Sequence, residues 1–184
     1  MLLLRHGQSL FNLHFTRTRQ DPGIEDPELT ALGHEQARQA AEDLADTPLT
    51  RVIISPYTRA LQTAAPFLER AGLQVEILPQ VRERTAFICD IGSSPAQLTA
   101  RFPQHEFSHL PQRWWGEEKE TEAETITRAR AFQSLMRQRD DADKTLLVSH
   151  WGFILALTGC SVANGAWIAF NPSTPPPEQI LWRP

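Results

Sequence analysis

Four short apolar runs, MLLLR at 1–5, RVIIS at 51–55, VEIL at 75–78 and TLLVS at 145–149, are separated by stretches whose apolar residues return with the period of a helix. Contiguous β-branched residues such as Val52, Ile53 and Ile54 suit strands buried on both faces. Strands of that kind alternating with helices make a mostly parallel sheet covered on each side. The expected fold is therefore α/β: a three-layer α/β/α sandwich with a mostly parallel central sheet. A length of 184 residues corresponds to about one domain. No internal repeat and no shift of composition divides the chain, so residues 1–184 are read as a single domain.

The punctuation between the strands locates the helices. Thr30 offers an N-cap to a helix with Leu32, Gln36, Ala37, Ala40, Ala41 and Leu44 on one face, running to about Asp46 before Thr47-Pro48 stops it. Ser55-Pro56 offers a cap and a first-turn proline to a second helix ending near Gly72. Ser94 caps a short helix over 95–102, and Thr121 with Glu124 forms the capping box of a helix reaching about Asp140. Residues 152–157 add a helical turn or more. Further strands are expected at 167–170 and 179–182, joined by the stiff Pro175-Pro176-Pro177. Residues 8–29 lose periodicity and carry Asp21-Pro22-Gly23 and Asp26-Pro27, so they read as a long surface loop. Residues 84–120 are expected to form a lid.

Several classes of function are excluded by composition. The 18 Lys and Arg residues are scattered and outnumbered by 22 Asp and Glu, which argues against a sequence-independent nucleic-acid binder. No run approaches the roughly 18 apolar residues of a membrane span, and Arg5 interrupts the opening run before a signal-peptide core forms; a cytoplasmic location is expected. Cys89 and Cys160 read as buried small hydrophobes without a disulfide. Nothing in the sequence marks an oligomeric state.

Open α/β sheets carry their chemistry at the carboxyl ends of the strands. At those ends lie Arg5 and His6, then Arg59 in the helix after Ser55, Glu83 after the third strand, and His150 after the fourth. A guanidinium is a permanently charged fork matched to phosphate oxygens, so two of them around two imidazoles suggest a pocket for a tetrahedral dianion. A neutral imidazole can attack phosphorus, and a carboxylic acid at Glu83 can protonate the departing oxygen. Taken singly, each residue has a plainer role: His6 as a hydrogen-bonded structural residue, Arg59 as a surface ion-pair partner, and Glu83 as part of the solvated cluster Arg82-Glu83-Arg84. Asp21, Glu25 and Asp26 are other possible proton donors. His105 and His109 have the spacing of a helical metal pair, but Pro103 and Pro111 bracket them and no third ligand follows, so no metal site is expected. His14 and His34 read as surface or capping residues. Trp114-Trp115 with Phe102 and Phe107 reads as a satellite cluster beneath the lid or as a wall for an organic substrate.

In chain order from Leu2 to Gly152, the segments LLLRHGQSLFN, LTALGHEQA, SPYTRALQTA, VRER and VSHWG together resemble the histidine phosphatase superfamily, the phosphoglycerate mutase-like group of α/β proteins. The resemblance implies that His6 is the nucleophile that becomes a phosphohistidine, that Arg5, Arg59 and His150 bind the transferring phosphoryl group, and that Glu83 is the general acid and later the base for water. It further implies an amide contact to phosphate from Asn12 and a loop-positioning role for Ser9, with no metal and no cofactor. The implied activity is hydrolysis of a small phosphorylated metabolite. Transfer to a second hydroxyl would make a mutase, and retention of the pocket without turnover a phosphate-binding module; the short chain favours the phosphatase. Two segments depart from the family pattern: RERTAFICDIGSS follows the acid in place of the family's glycine-containing stretches, and Trp151-Gly152-Phe153-Ile154-Leu155 follows the second histidine. Within the lid, Arg84, Arg101, Arg113 and Lys119 are offset by Asp90, Glu106, Glu117, Glu118 and Glu120, which is no funnel for a polyphosphate. A monophosphate ester of some apolar or aromatic character is therefore expected, with Arg17 and Arg19 weighing against it.

Overall fold

A computed structural model describes residues 1–182. Its strands are β1 (Leu2–Arg5), β2 (Arg51–Ile54), β3 (Gln74–Ile77), β4 (Thr145–Ser149) and β5 (Trp167–Ala169), in the sheet order β3-β2-β4-β1-β5. The pairs β3-β2, β2-β4 and β4-β1 are parallel, and β5 closes the edge antiparallel to β1. The helices among the described residues are α1 (Leu10–Thr18), α2 (Ala31–Asp43), α3 (Thr58–Leu68), α4 (Pro95–Arg101), α5 (Glu122–Arg137) and α6 (Trp151–Thr158).

Alternation along the strands divides the core into two layers. Leu4, Val52, Ile54, Leu146 and Val148 pack with Ala40 of α2 and with Ala60, Leu61, Ala64 and Phe67 of α3. Leu3, Ile53 and Leu147 pack on the other face with Phe132 and Met136 of α5 and with Phe153 and Ile154 of α6. The three-layer α/β/α arrangement follows from strands that bury both faces. No helix among the described residues is long and apolar enough to cross a membrane.

The local structure departs from the sequence expectations at identifiable places. Residues 10–18 form α1 instead of loop, because Ser9 and Asn12 make a reciprocal cap: the Asn12 N–H donates to Ser9 Oγ at 3.3 Å, and the Ser9 N–H to Asn12 Oδ1 at 3.0 Å. Ser55 does not cap α3, which starts only at Thr58 after Tyr57. The helices α2, α3 and α5 end at Asp43, Leu68 and Arg137, short of the expected limits. Residues 179–182 form no strand; Trp182 packs edge-on to Trp151 at 6.2 Å between ring centres. Cys89 is buried as expected, but Cys160 is exposed, and both are free thiols. Leu98, Phe107, Leu110 and Trp114 join the main core beside α3, so the two tryptophans and Phe107 belong to that core and not to a satellite.

Candidate active site

The end of β1, the helix after β2, the turn after β3 and the start of α6 after β4 border one cavity of about 530 Å³. Arg5 and His6 stand where β1 leaves the sheet. The turn beyond them runs so close to the start of α2 that a Cβ on Gly7 would overlap the Gly33 carbonyl, and one on Gly33 the Gln8 carbonyl. That approach explains the glycine in LTALGHEQA. His6 is 3% exposed, and its Nδ1 lies 2.7 Å from the Gly7 carbonyl oxygen, which can only accept. The proton therefore sits on Nδ1, and the Nε2 lone pair is the one left for the cavity. Burial, with the charges of Arg59 and Arg5, pushes the His6 pKa well below the usual imidazole value, so the ring is neutral. The Gly7 N–H donates to Thr63 Oγ1 at 3.0 Å, and Asn164 Nδ2 donates to the His6 carbonyl at 3.1 Å.

The two arginines are held by the backbone and one carboxylate. Arg59 stacks on the Tyr57 ring at 4.2 Å and donates to the Cys89 carbonyl at 2.9 Å and to Asp90 Oδ1 at 3.2 Å. Burial opposes its charge, but Cys89, Asp90, Tyr57 and Asp26 act in the other direction and its pKa is raised. The other Asp90 oxygen accepts the Ala86 and Phe87 N–H groups at 3.0 and 3.1 Å, which ties the 86–90 backbone to Arg59. Arg5 donates to the Val162 carbonyl at 2.8 Å while its Nε, also buried, has no partner. Burial lowers the Arg5 pKa to about 10, still charged at neutral pH. His150 is fully buried with its ring centre 5.0 Å from that of His6, its Nε2 is 2.7 Å from Ser55 Oγ, and its Nδ1 has no partner. It backs His6 and does not itself border the cavity. Burial, then Arg59 and His6, lower its pKa well below the usual value.

Glu83 follows β3 on a turn clamped from α5. Arg128 donates to the carbonyls of Gln80 and Arg82 at 2.9 and 2.8 Å and pairs with Glu120 at 2.6 Å, fixing the chain on which Glu83 is carried. The Glu83 carboxyl accepts the Arg84 N–H at 2.8 Å and the Gly152 N–H at 3.1 Å. Burial and the nearby Asp90 nevertheless raise its pKa above the ordinary glutamate value. Two guanidinium groups, an imidazole with a directed lone pair and a carboxyl whose pKa is raised by burial thus surround one cavity. That set can bind a tetrahedral oxyanion and move its central atom between oxygen and nitrogen.

Comparison with known proteins agrees with this geometry: residues 1–168 match the model of the histidine phosphatase superfamily (branch 1). The chain belongs to the histidine phosphatase superfamily. A relative from Yersinia enterocolitica named "Probable phosphoglycerate mutase GpmB" is 31% identical over 82% of this chain and 68% of its own. The glucosyl-3-phosphoglycerate phosphatase of Mycobacterium tuberculosis is 27% identical over 100% of this chain and 91% of its own. A solved structure of a mycobacterial glucosyl-3-phosphoglycerate phosphatase in complex with VO3 superposes with a TM-score of 0.62 at 26% identity, covering 91% of this chain and 88% of that one.

Within this superfamily member, some sequence-predicted residues serve the scaffold. Ser9 spends its hydroxyl capping α1, and Asn12 Oδ1 accepts from Ser9 and from Asn164 Nδ2 at 3.1 Å, which leaves the Asn12 amide NH2 toward the cavity. Asp26 is buried and accepts from Thr58 and Ser93, Asp21 accepts the Ile88 N–H, and neither they nor Glu25 border the cavity. His109 Nε2 bonds the Ile77 carbonyl at 2.8 Å, His14 and His34 are exposed, and Trp114 donates to the Ser93 carbonyl. The sequence offers Ser55 only as a helix cap and Asp90 only as one of the lid's acids, and it does not single out Thr63, Arg128 or Asn164. Only Asp90 carried a signal, as the one acid in the apolar run AFICDIG. Gly152 has a specific task, since a Cβ there would overlap Glu83 Oε1. Gly152→Ala is expected to fold but to lose about 10²-fold in kcat on an alkyl phosphate, the lower range for removing a general acid. Steady-state kinetics beside a thermal melt checks this.

Proposed function

We propose that this superfamily member is a metal-independent phosphatase that hydrolyses a small phosphate monoester through a phosphohistidine at His6, with Glu83 as proton donor. The observation that carries the proposal is the state of His6: buried, neutral, and oriented by Gly7 so that Nε2 meets the cavity between Arg5 and Arg59. Arg5 borders the cavity with a buried Nε that has no partner, which suits an oxygen of a bound phosphoryl group. The mycobacterial relative's complex with VO3 supports an oxyanion in the same fold.

In the first step the Nε2 lone pair forms a bond to phosphorus as the ester P–O bond breaks, and the Glu83 carboxyl hydrogen passes to the departing alkoxide. In the second, the Glu83 carboxylate takes a proton from water, the water oxygen bonds to phosphorus, and the P–N bond breaks to release inorganic phosphate and neutral His6. Arg5 and Arg59 hold the equatorial oxygens, supplying the positive charge that phosphoryl transfer needs. The Yersinia relative's name favours a second reading, in which a substrate hydroxyl replaces water. Rapid quenching during turnover of a ³²P-labelled aryl phosphate in excess chelator separates the possibilities. The expected result is steady release of inorganic phosphate and an acid-labile, base-stable label on the peptide holding His6. Turnover lost in chelator, or label on another residue, overturns the proposal; label passing to an added alcohol in preference to water identifies a mutase.

A further inference from the structure

The outer part of the cavity has a composition that the phosphoryl chemistry does not require. Phe11 and Phe15 of α1 meet Phe87 with all three ring-centre distances between 5.1 and 5.2 Å, and all three rings border the cavity. Trp151, at the start of α6, and Trp182, brought over by the segment after Pro177, border it as well. The segment carrying Trp182 is secured further back, where Gln133 Nε2 donates to the carbonyls of Pro172 and Thr174 at 2.9 and 2.7 Å. Phe87 remains 41% exposed at this mouth, although the same segment buries Cys89 and Asp90 beneath it. Its exposure is not a failure of local packing, because two other phenyl rings hold it in place.

Several of the polar groups beside these rings are already engaged. Ser161 Oγ accepts from Trp151 Nε1 at 2.9 Å, and Asn164 Nδ2 is bonded to the His6 carbonyl and to Asn12. The bordering acids, Glu83 and Asp90, are occupied by backbone N–H groups and Arg59. A flat apolar group would replace water against five rings, an area of contact that a polyhydroxylated group of the same size would not use. Arg84 and Arg19 lie over Trp182 and Phe15, at 5.0 and 5.9 Å, so their charges are spread on ring faces at the rim.

We infer that the alcohol side of the substrate is an aromatic or comparably flat apolar group, bound by Phe87 and Trp182 together with the rings behind them. This rests on the phosphatase reading of the same site and adds the substrate class. Two primary alkyl esters of matched leaving-group basicity, propyl phosphate and 3-phenylpropyl phosphate, isolate the contribution of the ring. The ratio of their kcat/KM values in the native chain is expected to favour the phenyl compound by about tenfold or more. Phe87→Ala and Trp182→Ala should each reduce that ratio about fivefold while leaving propyl phosphate within about twofold, with the melting temperature showing the fold intact. A native ratio near one, or a ratio unchanged in both variants, overturns the inference and leaves the phosphatase proposal standing. Failure to hydrolyse either ester overturns the phosphatase proposal, and the substrate class falls with it.

Discussion

His6→Ala is expected to lower kcat for phosphate release by about 10⁴-fold or more, the scale seen when a nucleophile is removed from groups that act as a unit. The effect should fall on the covalent step and not on folding. The His6 side chain makes a single hydrogen bond, to the carbonyl of the next residue, while its backbone is held independently by Ser149 and Asn164. Arg5 and Arg59 keep their own partners at Val162, Cys89 and Asp90, so the anion cradle should survive the substitution. Inorganic vanadate is accordingly expected to keep binding to the variant, while no acid-labile phosphoryl label forms. The measurement is single-turnover quench kinetics together with vanadate titration by calorimetry. A variant retaining more than about a hundredth of native kcat would show that His6 is not the attacking group, because the remaining residues offer binding but no comparable nucleophile.

The sheet was legible because its strands bury both faces. Val52, Ile53 and Ile54 can be contiguous and apolar only in such a position, and the residues after them must then lie at a common edge. Arg5, His6, Arg59 and Glu83 were legible for the same reason. The structure brings them to one cavity and sets His150 directly behind His6. Where the pattern failed, the deciding contacts were nonlocal or chemically ambiguous. α1 buries only Phe11 and is capped through Asn12 instead of the Glu or Gln of a standard capping box, so it presents little helical periodicity. Ser55 resembles an N-cap in sequence, but its hydroxyl is drawn to His150, 95 positions away. Arg128 reaches the chain beside Glu83 from α5, and Asn164 comes from a loop with no periodicity. For Trp114 the sequence leaves a packed cluster and a substrate wall both open; it completes the core, while Trp151 and Trp182, which the sequence marks for neither role, border the cavity. Tryptophans that fill a core and tryptophans that line a site have the same local sequence signature, and only the tertiary packing separates them.

Glu83→Gln is expected to separate substrates by their leaving groups. Loss of the transferable proton should reduce kcat on an alkyl phosphate by about 10²- to 10⁴-fold. With 4-nitrophenyl phosphate, whose leaving group departs without a proton, formation of the phosphohistidine should be little changed. Its hydrolysis still needs a base, so the variant should release nitrophenol in a burst close to the enzyme concentration and then stall as the phosphoryl form. The pH profile follows from the two displaced pKa values. Burial and Asp90 raise Glu83, so the native acid persists to higher pH than an exposed glutamate would, and kcat/KM on alkyl esters falls as pH rises through that value. Burial and the two arginines lower His6, so the free base persists to lower pH than an ordinary histidine, and the acid-side fall is displaced downward. The Gln variant should lose the alkaline fall and keep the acid one. Part of its deficit will be geometric, since the amide oxygen can accept from only one of the Arg84 and Gly152 N–H groups. A geometric loss slows every substrate alike, whereas a proton donor imposes dependence on leaving-group basicity. Equal loss on the alkyl and nitrophenyl esters, with no burst, would remove Glu83 from proton transfer and leave it as a brace between the turn after β3 and the start of α6.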